Sequence, residues 1–310
     1  MAGNDRFVVP VVCGPTASGK TGAALSLAQI APLEIISADS RQLYRGFDIG
    51  TAKPTSQERA AVPHHGLDVL EPTERASAAR WSDLADGWIG GALERGSVPV
   101  VVGGTGLYLR ALFGVLFQEP PMDVERRRAL AAELAPLETS ELRRRVQALD
   151  PDRAHLGRTQ LLRAIEVATL TGRRLSDLQR DLATVPRWRA RYLVLDPGLE
   201  LSGMIAARAR AMFAAGWGDE VRHLMATVPE DAPAWNASGY RVVRELEQGM
   251  LSPEAAMERV IIETRQYAKR QRTWFRHQLA GDDVTRLDPR DPEFGEKLRA
   301  WWRRAAGATA

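Results

Sequence analysis

The chain has 310 residues, 45% of them hydrophobic and 26% charged, with a formal charge of +3 and a pI of about 9.2. That balance is ordinary for a globular protein, and no apolar run reaches the roughly 18 residues a membrane span needs. Cys13 is the only cysteine, which excludes an intramolecular disulfide and a cysteine-based zinc cage, and its place in an apolar run predicts a buried small hydrophobe.

The opening MAGNDRFVVP lacks the basic start and long apolar stretch of a secretory leader, so a cytoplasmic location is expected. RFVVPVVCG, residues 6–14, then reads as a buried strand closed by a Gly-rich turn, and TGAALSLAQIA as a helix that starts on that turn. LEIISADS is a second apolar run, ending in Asp39 and Ser40. Residues 74–95 have the pattern of an amphipathic helix, and SVPVVVGGTG is a third strand ending in a Gly-rich turn. Alternation of this kind predicts an α/β fold: a P-loop NTPase-like parallel sheet flanked by helices, with ligands at the carboxyl ends of its strands.

After Phe117 the pattern becomes charged and helical, in MDVERRRALAAELA, TSELRRRVQAL and QLLRAIEVATLTG, until RYLVLDPG (191–198) returns as a strand. The predicted organisation is therefore a core of residues 1–117 and 188–310 and an inserted helical domain of 118–187. A long helix is predicted over 253–279. Met257, Val260, Ile261, Thr264, Tyr267, Ala268, Trp274 and Phe275 form its core-facing stripe, while Arg265, Lys269, Arg272 and Arg276 share another face. The terminal RAAGATA is expected to fray. Basic residues cluster: twelve Arg against six acids over 141–191, and six Lys or Arg against one Glu over 259–276. Such clusters suit phosphate backbones and equally suit a solvated helix face.

Gly14, Pro15, Thr16, Ala17, Ser18, Gly19, Lys20 and Thr21 make the phosphate-loop spacing, two glycines five apart followed by Lys and Thr. Glycines let successive N–H groups point into one concavity at a helix N-terminus, Lys20 adds a full charge, and the Thr21 hydroxyl can ligate Mg2+. The loop leaves open what the phosphates are attached to. Phosphate-transferring enzymes with this loop usually present an acid on a second strand. SVPVVV ends instead in Gly103, Gly104 and Thr105, which weighs against a nucleotide kinase. Asp39 is the comparable acid, and its position is compatible with a metal-associated group, a general base or a cap.

GPTASGKT, ISADSRQLYRGFDIGTAKP, PHHGLDV, VVVGGTGLYLRAL, RAIEV, ASGYR and TRQYAKRQRTWFR, in this order, resemble the tRNA dimethylallyltransferase (isopentenyltransferase) family from about Val8 to Arg276. The resemblance implies transfer of a five-carbon allylic group from dimethylallyl diphosphate to N6 of an adenosine beside the anticodon, with Mg2+, the loop and Lys20 holding the departing diphosphate. It implies Asp39 as the base and Thr105 as a contact to the reacting region. Arg208 is implied near the diphosphate, and Ser40, Arg41 and Gln42 near a base flipped from its stack. Arg127, Arg163, Gly239, Tyr240 and Arg241 fall where the family touches tRNA. So do Lys269, Arg270, Gln271, Arg272, Thr273, Trp274, Phe275 and Arg276, although the stripe position of Trp274 favours packing. GRTQLLRAIEV departs from the family, with Thr159 and Gln160 where Gln and Arg are common. His64 and His65 are read as local structure. A single bound tRNA requires no dimer, so a monomer is expected. A transferase acting on free adenine nucleotides shares the chemistry, but it has no need of the basic helices; a non-catalytic RNA-binding module leaves the loop and Asp39 unexplained.

Overall fold

In the computed structural model, which describes residues 6–114, 122–181 and 185–307, the apolar runs pair into one parallel sheet. Its strands are β1 (Val8–Cys13), β2 (Leu33–Ser37), β3 (His64–His65), β4 (Val98–Gly103), β5 (Arg189–Leu195) and β6 (Val284–Leu287), in the order β3-β2-β4-β1-β5-β6. The central strand β1 has both neighbours in register, Val11 beside Val101 and Tyr192. Pro10, which has no N–H to give, sits before the ladder to β4 begins at Val11.

Alternate residues of each strand serve opposite layers. Val9, Val11, Cys13, Ile36 and Val101 face one core. It is covered by α3 (Ala78–Glu94), α4 (Gly106–Phe113), α9 (Leu201–Ala214), α10 (Trp217–Thr227), α11 (Tyr240–Glu247) and α12 (Pro253–Gln278). Val12, Ile35, Val100, Val102 and Leu193 face the other core, beneath α1 (Lys20–Ala28) and α13 (Phe294–Ala306). Cys13 is fully buried, and burial pushes its thiol up to about 12, so it behaves as a hydrophobe.

Three elements escape the sequence pattern. β3 is only two residues long. β6 is a four-residue edge strand, and its VTRL has no apolar run. The fraying expected from residue 304 is corrected: α13 runs to Ala306, because Leu298, Trp301, Trp302 and Ala305 lie on one helix face and dock on the sheet. Residues 308–310 lie outside the described residues.

By contacts the chain divides into Met1–Phe113 with Arg187–Ala310, and Gly114–Pro186; the expected junction at 117–118 falls outside the described residues. The second unit holds α5 (Val124–Leu134), α6 (Thr139–Leu149), α7 (Arg158–Thr171) and α8 (Leu175–Asp181) around its own core of Leu134, Leu142, Val146, Leu161 and Ile165. Its buried Asp150 accepts from Ser176 N–H at 3.0 Å and Ser176 Oγ at 2.6 Å, pinning the start of α8. Among the described residues, no helix is long and apolar enough to cross a membrane.

The loop between β2 and α2 (Ser56–Ala61) closes on a buried amine. Lys53 Nζ donates to Tyr44 O (2.5 Å), Asp48 (2.6 Å) and Asp68 (2.5 Å), its side chain 1% exposed. At the same edge of the sheet, Arg95 grips the buried Glu34 with two bonds of 2.8 and 2.7 Å, and His65 Nε2 adds a third of 2.7 Å. His64 bonds Val62 O through Nδ1, so both histidines serve local structure. The Arg95 bonds, against the opposing effect of burial, hold Glu34 down to about 2 from an ordinary 4.5. A carboxyl with a depressed folded value contributes stability that is complete above 4.5 and lost as pH falls toward about 2. Urea midpoints at neutral pH and at pH about 3 should therefore fall further apart in the wild type than in Arg95→Met; equal gaps would remove Glu34 from the acid response.

Candidate active site

β1 ends at Cys13, and the chain turns through Gly14 into a loop that opens α1. Gly14 sits at φ 147°, and a Cβ there would lie 2.3 Å from the Leu195 carbonyl oxygen of β5, so only glycine fits. Ala17 takes the left-handed φ of 64°, an unfavourable conformation for a residue with a side chain. Gly19, at φ 82°, starts α1. Pro15 O accepts from Ser18 N–H at 3.3 Å and from Lys20 Nζ at 2.6 Å, which folds the loop back on itself. The Ser18 hydroxyl is buried with no partner.

The neighbouring strand ends supply the opposite wall. Gly103 lets β4 pass within contact of β2, since a Cβ there would meet Ala38 O at 2.2 Å. Thr105 N–H then donates to Ala38 O at 3.1 Å, and Thr105 Oγ1 accepts from Ser40 N–H at 3.1 Å. Asp39 Oδ1 accepts from Arg41 N–H at 2.9 Å; Oδ2 has no hydrogen-bond partner among the described residues. Gln42 is spent internally: its Oε1 accepts from Ser37 Oγ (2.9 Å), and its Nε2 donates to Thr51 O (3.2 Å) and Ala52 O (3.0 Å).

α9 and α12 close the third side, leaving a cavity of about 380 Å³ between them, the loop and Asp39. Positions 204, 205, 208, 209 and 212 of α9 share the lining face, as do 260, 264, 267 and 271 of α12. Gln271 stands at the phosphate loop, and Val260 is eleven residues earlier, roughly 16 Å along the helix. One end is therefore cationic and polar. The other, where Met212, Val260 and Trp217 meet, is apolar.

Two cations face this space. Burial, and then the charge of Arg208, push Lys20 down to about 8 from 10.5, while Asp39 opposes the shift. Burial also lowers Arg208, with Asp39 again opposing. Together they form a clamp for an anion, with the carboxylate of Asp39 opposing both shifts. The Tyr267 hydroxyl, at Thr105 and near Asp39, is pushed by burial up to about 12 and stays protonated. Among the described residues no group of three His, Cys, Asp or Glu side chains could hold a metal. Thr21, at the start of α1, lines the cavity with its hydroxyl side chain.

The structure brings Asp39, Ser40, Arg41, Gln42, Thr105, Arg208 and the loop to one place. The long-helix set divides. Lys269, Arg270, Thr273 and Arg276 are exposed, and Arg270 lies over the Tyr267 ring at 5.8 Å. Arg272 is half-buried and bonded to Asp196 at 2.9 Å. Three residues expected at the RNA have buried side chains. Phe275 is core. Gln271 bonds the backbone at Thr16 and Gly104. Tyr240 donates to Glu220 at 2.6 Å and accepts from Gly50 N–H at 3.1 Å. Trp274 is half-buried; its indole packs over Gly106, where a Cβ would be 2.3 Å away, and edge-on to Phe275.

Gly239, at φ 83°, and Gly50 make room for the buried Trp217, so the ASGYR segment braces the DIGT loop behind the cavity. Arg241 bonds Asn236, and in the inserted unit Arg127 and Arg163 share Glu166. Trp217 and Lys53 were missed by sequence reasoning. The glycines at 50 and 239 were the one available signal for a large side chain wedged between them.

Residues 42–278 match the IPP transferase family, and residues 7–63 match the isopentenyl transferase family. The tRNA dimethylallyltransferase of Anaeromyxobacter sp. strain K is 47% identical, over 86% of this chain and 89% of its own. That of Thermus thermophilus is 43% identical, over 95% and 97%. The crystal structure of tRNA delta(2)-isopentenylpyrophosphate transferase from Staphylococcus epidermidis superposes with a TM-score of 0.68 at 31% identity, covering 96% of this chain and 98% of that one. A eukaryotic dimethylallyltransferase captured acting on tRNA gives a TM-score of 0.77 at 25% identity, covering 97% of this chain and 77% of that one.

The depressed Lys20 sets a pH dependence. An anion raises the value of the amine it binds, so affinity is full below about 8 and declines as pH rises through that value. Calorimetric titration with an alkyl diphosphate ester, already fully ionised above neutral pH, should show weakening between pH 7.5 and 9.5. Lys20→Met should bind weakly and without that slope; a flat wild-type profile would refute the shift.

Proposed function

This chain belongs to the IPP transferase family, and from that premise we propose that it transfers a dimethylallyl group from dimethylallyl diphosphate to N6 of the adenosine 3′ to the anticodon, position 37 of tRNA, releasing diphosphate. The observation that carries the reading is a single cavity in which a two-cation phosphate clamp, a carboxylate with a free oxygen and an apolar end converge.

The proposed chemistry follows the charges. Gly14–Thr21, Lys20 and Arg208 hold the diphosphate, and their positive charge stabilises the negative charge that develops as the allylic C–O bond breaks. The adenine amino group is a weak nucleophile because its lone pair is delocalised into the ring. Its nitrogen forms the new bond to the allylic carbon while Asp39 Oδ2 takes the proton it loses. Thr105, anchored to Ser40, orients the amino group beside Asp39. Extrusion of the base from its stack makes this approach possible.

Thr21, a hard oxygen donor at the start of α1, would hold Mg2+ together with the bound diphosphate. When bound, the ion neutralises charge on the leaving diphosphate. The exposed Lys269, Arg270, Thr273 and Arg276, with Arg241 and the basic inserted helices, are the proposed RNA backbone contacts. Arg127 and Arg163 would exchange Glu166 for phosphate there. The protein is proposed to act as a cytoplasmic monomer.

With labelled dimethylallyl diphosphate and Mg2+, label should enter unmodified tRNA and not AMP, and ATP should not be consumed; equal labelling of AMP would defeat the RNA-specific reading. Asp39→Ala should lower kcat by roughly 10²–10⁴-fold with diphosphate affinity largely kept, and unchanged turnover would remove it as base. Rising salt should weaken tRNA binding far more steeply than donor binding.

A further inference from the structure

We infer that Gln271 is a positioning residue for the diphosphate loop rather than an RNA contact. The inference rests on the transferase reading for its kinetics, but its binding prediction is independent of that reading. Gln271 is 7% exposed, and both ends of its amide are used: Oε1 accepts from Thr16 N–H at 2.8 Å, and Nε2 donates to Gly104 O at 2.9 Å. One side chain on α12 thus ties the loop after β1 to the turn after β4.

The geometry around it is built for that bond. A Cβ on Gly104 would come within 2.3 Å of Gln271 Nε2, so the glycine leaves the space the amide fills. Thr16 precedes Ala17, the left-handed alanine of the loop. Ala17 packs against Ala268, one helical turn before Gln271 on the same face of α12, together with Leu201 and Ile205 of α9. Strain of this kind persists only where its surroundings over-determine it, and here α12 does so twice, by contact at 268 and by hydrogen bond at 271. The remaining loop bonds, from Ser18 N–H and Lys20 Nζ to Pro15 O, are internal and cannot fix the loop relative to the sheet. Without the amide, Thr16 N–H is released and the loop must be ordered by its ligand. That ordering cost reduces affinity for the diphosphate.

Gln271→Met keeps the length and bulk of the side chain and removes both bonds. Three quantities separate the possible roles: affinity for inorganic diphosphate by calorimetry, KM and kcat with dimethylallyl diphosphate, and affinity for an anticodon stem-loop RNA. For the folded variant, diphosphate affinity should fall roughly tenfold and donor KM should rise to match, with kcat within about threefold and RNA affinity within about twofold of wild type. Gly104→Ala, which displaces the amide without removing it, should reproduce the pattern and serves if the methionine variant does not fold. Unchanged diphosphate affinity in a folded variant overturns the inference. So does a loss of RNA affinity at constant donor KM, which would return Gln271 to the RNA surface. Failure of wild-type protein to prenylate RNA would overturn the proposed function instead, and the calorimetric comparison would still decide the role of Gln271.

Discussion

Two half-buried cations and one carboxylate share a cavity, and most of the site is arranged around that imbalance. Lys20 and Arg208 repel one another in a place where water screens little. Burial first, and then that repulsion, push the Lys20 amine down to about 8, and Asp39 offsets only part of the shift. Such an arrangement is costly when empty and favourable when an anion enters. That is the electrostatic basis of the proposed diphosphate site and of its stabilisation of charge on a departing diphosphate. The carboxylate that moderates the cations is also the proposed proton acceptor, which would join the electrostatics and the chemistry in one residue.

Holding like charges together requires a rigid frame, and the frame is a set of close backbone approaches. Gly14 passes under a β5 carbonyl, Gly103 passes against Ala38, and Gly104 yields to the Gln271 amide. At the first two a methyl group would push strand ends apart, and at Gly104 it would displace the side chain from α12. At the apolar end, Gly50 and Gly239 receive the Trp217 ring. The Tyr240 hydroxyl and Glu220 tie down the loop on its other side, with Glu220 Oε2 accepting from Ile49 N–H at 2.7 Å. Motifs that look like surface recognition sequences thus act as internal bracing. They keep the wall behind the cavity fixed.

The long helix α12 combines these two tasks. Its period separates a buried face, carrying Val260, Ala268, Gln271 and Phe275, from an exposed face with Lys269, Arg270 and Arg276. Residues adjacent in sequence therefore have opposite destinations, and a motif taken as a block, such as RQRTWFR, conceals that division. Within that block the side chains of Gln271 and Phe275 face the core. The stripe analysis had placed Phe275 correctly, and for Gln271 a polar residue at a core-facing position was the missed signal.

The sequence by itself determined the parallel α/β sheet, the phosphate loop, the strand-end position of Asp39 and Thr105, and the helical character of the insertion. These are legible because local periodicity and fixed spacing express them: buried parallel strands are short apolar runs, and a phosphate loop needs its glycines at set intervals. Tertiary structure alone decided which residues meet across the fold. The convergence of Lys20 with Arg208, the wedge of Trp217 between two glycines, the burial of Lys53 against Asp48 and Asp68, and the bond from Gln271 to Thr16 join residues separated by up to 255 positions. No local pattern encodes such pairs, because the energy that selects them comes from desolvation and close packing that exist only once the sheet and its two covering layers have assembled.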